Sequence, residues 1–446
     1  MKKRVALVCQ LAVFAMVSLQ AQESLSLSQA IEKGLKQNFQ VQIAEREVAI
    51  AQNDNNWAVA GKYPAIDLTL NVNNNYQQTN NPASFLREFY SVGSGVQPGI
   101  EAVWILFNGY RIRFTKQQLE TLERLSQGNA QVAVENAIES VILAYYNALV
   151  EREQLQVRQR VLNLSRDRLS YERVRQEYGQ ASSFDVLQTN DAYINDSMSY
   201  LIQRTTFENA LRNLNTTMGE PDLSVRFTLT DQLAYEAPVY DIEALRSRML
   251  ANNRSLQNLQ VSRELARIQT DLRETTRLPR IDLRTGAVYN YNKNHAATGI
   301  FSSGEERDLG GIKSSSFNGF INFSASYTLF DWGLRQRQIE RSKMEELIAQ
   351  LNISDLQRTL TNNLENTWAQ YNNQKELLDV TTQLVNNAQR NLEIAEERFR
   401  GGLINSFDYR TIQLGYINAT QSQLNAYFNL KTTETELVRL IGGLVR

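Results

Sequence analysis

Hydrophobic positions along the chain follow two rhythms. Ile66, Leu68, Leu70 and Val72 alternate with Asp67, Thr69, Asn71 and Asn73, a period of two that predicts a strand with one apolar and one wet face. Ile281, Leu283, Thr285, Ala287 and Tyr289 keep that phase against Asp282, Arg284, Gly286 and Asn290. Ile100, Ala102, Trp104 and Leu106, and further on Phe323, Ala325, Tyr327 and Leu329, make a second such pair, with Glu101 and Ser324 on the opposite face. Four strands are therefore predicted, near 64–79, 98–107, 279–292 and 317–330. The other rhythm steps by seven. Tyr371, Leu378, Val385, Leu392 and Phe399 recur at that interval, with Thr381, Ala388 and Ala395 between them. That is a narrow coiled-coil seam with small partners, unlike the broad stripe of a globular-core helix.

Proline placement sets the helix lengths. The six prolines stand at 64, 82, 98, 221, 238 and 279, so 99–220 and 280–446 are free of this helix breaker. Helices are predicted near 26–61, 109–177, 182–218, 241–277, 333–400 and 405–441. A run of ~69 residues at about 1.5 Å per residue is roughly 100 Å long, more than one globular domain needs. Each long helix leads into a turn, Gly179 to Ser182 or Gly401 to Asn405. There glycine permits the left-handed ending of one helix, and Ser183 or Ser406 is expected to cap the next.

The rhythms occur twice because the chain is a duplication. Ser183-Phe184-Asp185 recurs as Ser406-Phe407-Asp408, and Tyr193-Ile194-Asn195 as Tyr416-Ile417-Asn418, both at a shift of 223. Gly179 matches Gly402 and Gly219 matches Gly442 at the same shift. Upstream the shift is 215, pairing Asn38 with Asn253, Pro64 with Pro279 and Ile66-Asp67-Leu68 with Ile281-Asp282-Leu283. The second copy thus carries eight extra residues between Tyr291 and Leu329. The Gly-, Ser- and Asn-rich segment 292–316 reads as the loop that holds them. The first repeat is taken as 22–220 and the second as 241–446. A linker at 221–240 joins them, containing the strand-like Val225-Arg226-Phe227-Thr228-Leu229.

Composition narrows the function. Lys and Arg number 47 against 48 Asp and Glu, so no basic field exists for a nucleic-acid backbone. One Cys and one His exclude a disulfide framework and leave no His-rich metal site or His-based triad. His295, alone in the expected loop, has no second ligand. No catalytic, cofactor-binding or metal residue is expected. The start, Met1-Lys2-Lys3-Arg4 followed by an apolar run to Leu19 and then Gln20-Ala21, reads as a secretory signal peptide over 1–21. Cys9 would leave with it, so no acylation anchor is expected. No later stretch has the ~18 consecutive apolar residues of a spanning helix. An exported chain with polar-in, apolar-out strands is therefore expected to enter a membrane through a barrel rather than to carry two hairpins on a soluble surface. Such barrels start at about eight strands and must close, since an open edge leaves backbone groups unpaired in lipid. Four strands per chain demand an oligomer.

With these residues in place, the chain resembles the TolC-type outer-membrane efflux proteins over essentially all of its mature length. The resemblance is carried by the duplication, by Leu106-Phe107-Asn108-Gly109 and Leu329-Phe330-Asp331-Trp332-Gly333 at strand ends, and by the turns running from Gly179 to Val186 and from Gly402 to Asp408. It implies a mainly α fold with a small transmembrane β part. Long antiparallel coiled-coil helices would form a tunnel, and four strands from each of three chains a 12-stranded barrel. It further implies a homotrimer in the outer membrane of a Gram-negative bacterium, in contact with outer-membrane lipid. The helical part would lie in the periplasm and conduct substrates passively from a periplasmic adaptor protein and inner-membrane pump to the exterior. By resemblance, Asp408 belongs to an acidic ring narrowing the periplasmic entrance, one turn before Thr411, with Asp185 and Gln188 as their repeat mates. The turn residues Gly179, Gln180, Ser183, Phe184, Gly402, Leu403, Ser406 and Phe407 would meet the adaptor. Gln180 departs from the family's usual Gly-Leu at the first turn. Abundant Asn and Gln would keep a lumen wet, although many solvate helix exteriors.

Two other readings compete. A periplasmic adaptor is also exported and coiled-coil, but would show one hairpin flanked by Gly-rich β domains. A glycan-cleaving enzyme would need paired carboxylates, whereas those here sit at charge-pairing spacings such as Glu393, Glu396 and Glu397 near Arg390, Arg398 and Arg400, as on a solvated helix face.

Overall fold

A computed structural model describes residues 23–233 and 238–444; the expected signal peptide at 1–21 lies outside them. In chain order the elements are β1 (Ser24–Leu25), α1 (Leu27–Gln37), α2 (Phe39–Asp54), β2 (Ala65–Asn80), β3 (Leu86–Asn108), α3 (Arg111–Glu177), α4 (Ser183–Met218) and β4 (Thr228–Leu229). The second repeat continues with α5 (Ile242–Asn252), α6 (Arg254–Glu274), a single 3-10 turn (Thr275–Arg277), β5 (Arg280–Phe301), β6 (Glu306–Arg307), β7 (Gly310–Ser326), α7 (Leu334–Arg400) and α8 (Ser406–Leu440). No helix among the described residues is long and apolar enough to cross a membrane. Two compact units result. Among the described residues, one is helical and comprises 23–48, 126–233, 238–259 and 352–444; the other, 49–125 and 260–351, holds the large sheet.

In the helical unit each repeat packs its long helix against a short helix and the returning helix. Val141, Tyr145, Ala148 and Leu149 of α3 meet Ala30 of α1 and Leu211, Leu214 and Met218 of α4. Leu360, Leu364 and Tyr371 of α7 meet Leu245 and Met249 of α5 and Leu430, Leu437 and Leu440 of α8. The seven-residue seam continues toward the turn, where Leu392, Ala395 and Phe399 are buried with Tyr409 and Tyr416. Burying that narrow stripe is what holds such long helices straight along one another.

The first helix of each repeat is not continuous, contrary to the expected spans 26–61 and 241–277. Asn38 and Asn253 are extended and break it. Asn38 Oδ1 accepts from Gln40 N at 2.9 Å while its Nδ2 donates to Thr217 O at 3.0 Å. Asn253 repeats both bonds, to Leu256 N and Leu440 O, each at 3.0 Å. The asparagine caps one helix and satisfies the last carbonyls of another, two tasks that hydrophobic period does not reveal. The recurring glycines belong to the same joint. Gly219 is left-handed, and a Cβ there would lie 2.5 Å from Gln37 O; Gly442 stands alike, 2.5 Å from Asn252 O. Gly219→Ala is therefore expected to destabilise the protein by about 2 kcal/mol or more, from backbone strain plus contact with a carbonyl. Gly179→Ala, left-handed but with open space around it, should lose only about 1 kcal/mol. Urea unfolding of both variants in one detergent checks this; equal losses would mean the close approach is unimportant.

The linker is clamped by polar groups. Only Thr228–Leu229 of the expected strand forms, paired in parallel with Ser24–Leu25. Tyr145 Oη lies 2.9 Å from Leu25 O and 2.7 Å from Asp231 Oδ2, and burial together with that carboxylate pushes its phenol pKa up. Arg152 donates to Leu229 O and Asp231 O. On the other side, Tyr371 Oη donates to Pro238 O at 2.7 Å and Trp368 Nε1 to Tyr240 O at 3.2 Å.

In the second unit, β2, β3, β5 and β7 form one antiparallel sheet in that order, β3 and β5 joining the two hairpins. Leu68 faces Ile100 and Leu283 faces Phe323 across the pairs, so the alternation places their apolar side chains together; Leu68 at 85%, Phe323 at 71% and Ile100 stay exposed, and Leu283 is half-buried. The strands outrun the expected spans at their turn ends and β7 stops earlier, at Ser326. The largest correction concerns 292–316, read as a loop. Its polar residues continue the ladder, with Asn292 opposite Ser314 and Lys293 opposite Lys313, because backbone pairing propagates down a hairpin without side-chain alternation. The eight extra residues lengthen this hairpin.

Candidate functional site

The two turns that join long helix to returning helix are built on one plan. α3 ends as Gly179 N donates to Gln176 O (2.9 Å) and Gln180 N to Arg175 O (2.7 Å), with Gly179 at φ +72. α7 ends as Gly402 N donates to Phe399 O (3.0 Å) and Leu403 N to Arg398 O (2.8 Å), with Gly402 at φ +73. Glycine is needed because this left-handed residue returns the chain onto its own last carbonyls.

The caps lie one residue earlier than expected. Ser182, not Ser183, caps α4, and Asn405, not Ser406, caps α8. A cap must be extended with its side chain aimed at the N–H three residues on, and Ser182 and Asn405 hold that place. Ser183 Oγ instead accepts from Gln176 Nε2 at 3.0 Å. Ser406 is buried, its hydroxyl 3.2 Å from that of Thr189. It ties one hairpin to the other and is not exposed at the turn.

The repeat mates Asp185 and Asp408 are not equivalent. Asp185 closes a capping box: Ser182 N and Oγ donate to its Oδ2 at 2.9 and 2.7 Å, and Asp185 N donates to Ser182 Oγ at 3.2 Å. The serine hydroxyl and backbone N–H hold its carboxyl below the usual range. Asn405 meets Asp408 through its Oδ1, which accepts from Asp408 N at 2.8 Å. The exposed Asp408 carboxylate has no hydrogen bond or ion pair among the described residues. Thr411 is exposed and turns its hydroxyl back to Phe407 O, while Gln188 is half-buried. Phe184 and Phe407 follow the caps exposed at 71% and 65%, and Leu403 is 72% exposed. None is part of the seam.

Above these turns lies a buried polar cluster that pattern reading did not find. Asp196 of α4, only 4% exposed, takes both terminal nitrogens of Arg410 of α8 at 2.7 and 2.8 Å. Ser165 of α3 donates to the same carboxylate, and Gln413 bridges Ser165 and Arg410. Arg168 lies over the Tyr409 ring at 5.5 Å, and burial and the neighbouring Arg410 lower its pKa. Burial pushes the Tyr409 phenol up to about 12. The two copies differ here, since the repeat mate of Asp196 is Ala419 and that of Arg410 is Leu187. Charge present in only one copy was the signal available in the sequence. Among the described residues no cluster of His, Cys, Asp and Glu is placed to hold a metal.

Comparison with known proteins decides what these features belong to. The model of the family described as "Outer membrane efflux protein" matches residues 5–220 and 245–443. The chain belongs to the outer membrane efflux protein family. Its fold is that of solved channels. The Campylobacter jejuni CmeC outer membrane channel is 16% identical with TM-score 0.75, over 94% of this chain and 85% of that one. Vibrio cholerae VceC, also 16% identical, gives 0.67 over 94% and 96%, and the open state of the Neisseria gonorrhoeae MtrE channel 16% and 0.68 over 94% and 89%. No curated protein matches the sequence. Family and fold are those of outer-membrane efflux channels rather than of enzymes, and a periplasmic adaptor with coiled-coil hairpins is not what the family match describes.

Proposed function

We propose that this efflux-family chain works as a homotrimer, a passive conduit in the outer membrane of a Gram-negative bacterium, fed by a periplasmic adaptor and an inner-membrane pump. The sheet carries the proposal. It has an exposed apolar face, and β2 and β7 each have a partner on one side only, an arrangement lipid does not tolerate. Joining β7 of one copy to β2 of the next removes every edge, and three copies supply twelve strands, an even number in the barrel range. Mass measurement in detergent is expected to give three chains; a monomer retaining all its strand content would defeat the proposal.

Within that trimer Asp408 is the constriction residue, with Thr411 beyond it and Asp185 and Gln188 in supporting places. Its carboxylate is exposed and uncommitted, whereas that of Asp185 is used as a cap. Threefold symmetry would gather three Asp408 charges into a site for cations, and Thr411 in the following turn limits it to a single ring. Asp408→Ala is expected to raise conductance in planar bilayers and to weaken block by multivalent cations about tenfold, the scale of one lost partly desolvated charge interaction. Unchanged conductance and block would remove Asp408 from the gate. The turns would receive the adaptor through Gly179, Gln180, Ser183, Phe184, Gly402, Leu403 and Phe407. The buried Ser406 would serve by holding the two hairpins together.

A further inference from the structure

The junction where β3 gives way to α3 has a feature that barrel closure and turn docking leave unused. A cavity of about 400 Å³ is lined there by Trp57, Lys62, Trp104, Tyr110 and Arg113, and no carboxylate lines it. Trp104 and Leu106 stand in the phase of the apolar strand face, so the cavity is continuous with that face. Trp104 Nε1 donates to Lys62 O at 2.9 Å, fixing the cavity wall, and Lys62 Nζ stands 4.6 Å above the Trp57 ring. Lys62 and Arg113 are both exposed, and neither makes an ion pair among the described residues. Two free cations at the edge of an apolar surface, with no anion opposite them, are complementary to a ligand having a negative head and an apolar tail.

The backbone supplies an independent observation. Tyr110 has φ +68 and, in the other copy's junction, Trp332 has φ +56. These are the non-glycine residues with positive φ among the described ones, and bulky side chains adopt that conformation only at a cost. Each is adjacent to a glycine also at positive φ, Gly109 or Gly333, so glycine was available to the turn. In both copies the strained residue is an exposed aromatic stacked edge-on upon another, Tyr110 on Phe107 at 5.3 Å and Trp332 on Phe330 at 4.9 Å. Strain retained for an exposed ring indicates a role for the ring, and amphipathic aromatics favour the level of lipid headgroups. The second junction has one cation fewer at the corresponding place: Arg277, the repeat mate of Lys62, donates to Gln336 Oε1, and Gln336 stands where the first copy has Arg113. Arg335 is bound to Asp331 Oδ2 at 2.7 Å and donates to Thr276 O and Thr328 O.

We infer that the first junction binds the phosphate of an anionic glycerophospholipid between Lys62 and Arg113, with its acyl chains along Leu106 and Trp104 and the ring of Tyr110 beside its glycerol. This rests on the proposal that the sheet crosses the outer membrane. The test is native mass spectrometry of the purified oligomer in detergent, titrated with dioleoylphosphatidylglycerol or dioleoylphosphatidylcholine. Phosphatidylglycerol is expected to bind about tenfold more tightly, the scale of two cations near an anionic headgroup. K62Q/R113Q should erase that preference, and Trp332→Ala should keep it. A preference surviving K62Q/R113Q, or displacement of the lipid by millimolar inorganic phosphate, overturns the lipid site. Fractionation of the wild type tests the underlying reading separately. A protein found in the outer membrane whose phosphatidylglycerol preference ignores both cations defeats the lipid site alone.

Discussion

Leu403→Glu is expected to abolish efflux while leaving oligomer yield and membrane insertion at wild-type level. Leu403 N–H completes the helix ending by donating to Arg398 O, and glutamate keeps that bond. The side chain is 72% exposed, so a carboxylate there meets water and folding is barely altered. A partner helix laying apolar residues against the turn would instead bury that charge unpaired, and the desolvation penalty of several kcal/mol is enough to undo a docking contact. Drug accumulation in cells and site-specific cross-linking to the adaptor measure the two halves of the expectation. Normal efflux at normal abundance would remove the second turn from the contact. Gln180→Glu at the first turn should weaken efflux less, because a polar residue already stands there.

Asp196→Ala is expected to be the most destabilising single change in the helical unit, by about 3 kcal/mol, the lower end of what breaking a buried ion pair costs. The lower end applies because the Arg410 side chain keeps 18% of its exposure. Removing Asp196 leaves Arg410 unpaired beside the buried Arg168, two like charges whose common counter-charge is gone. It also leaves the buried Ser165 hydroxyl, which accepts from Gln413 Nε2, without the carboxylate it donates to. Replacing the pair together, as Asp196→Leu with Arg410→Met, should recover most of the loss, since an apolar pair of similar volume needs no counter-charge. Thermal unfolding followed by helix signal separates these cases. A single variant no less stable than the double would show that the pair has no structural weight.

Much of this molecule follows from its sequence, because its energetics repeat along the chain. Apolar residues at intervals of seven in α7 and at intervals of two in β2 are one-dimensional regularities, so helix, strand and duplication could be read without knowing what packs on what. The glycine turns were legible for the same reason, since Gly179 and Gly402 answer a local demand for positive φ. Other features depended on residues remote in sequence. Asn38 and Asn253 looked like ordinary helix residues until Thr217 O and Leu440 O were seen to need a donor, and the cap moved from Ser183 to Ser182 because a single dihedral decides which oxygen faces the N–H. Most of the polar run 292–316 became strand, up to Phe301 and again from Gly310, because its partner across the hairpin supplied hydrogen bonds that its own composition does not indicate. Asp185 and Asp408 both follow Ser-Phe, yet Ser182 bonds the first carboxylate while Asn405 caps through Oδ1 and leaves the second free. The pairing of Asp196 with Arg410 spans 214 residues. Only the tertiary structure could bring them together, since the interior of a four-helix contact forms after the helices meet and a charge there is tolerable only once its partner has arrived.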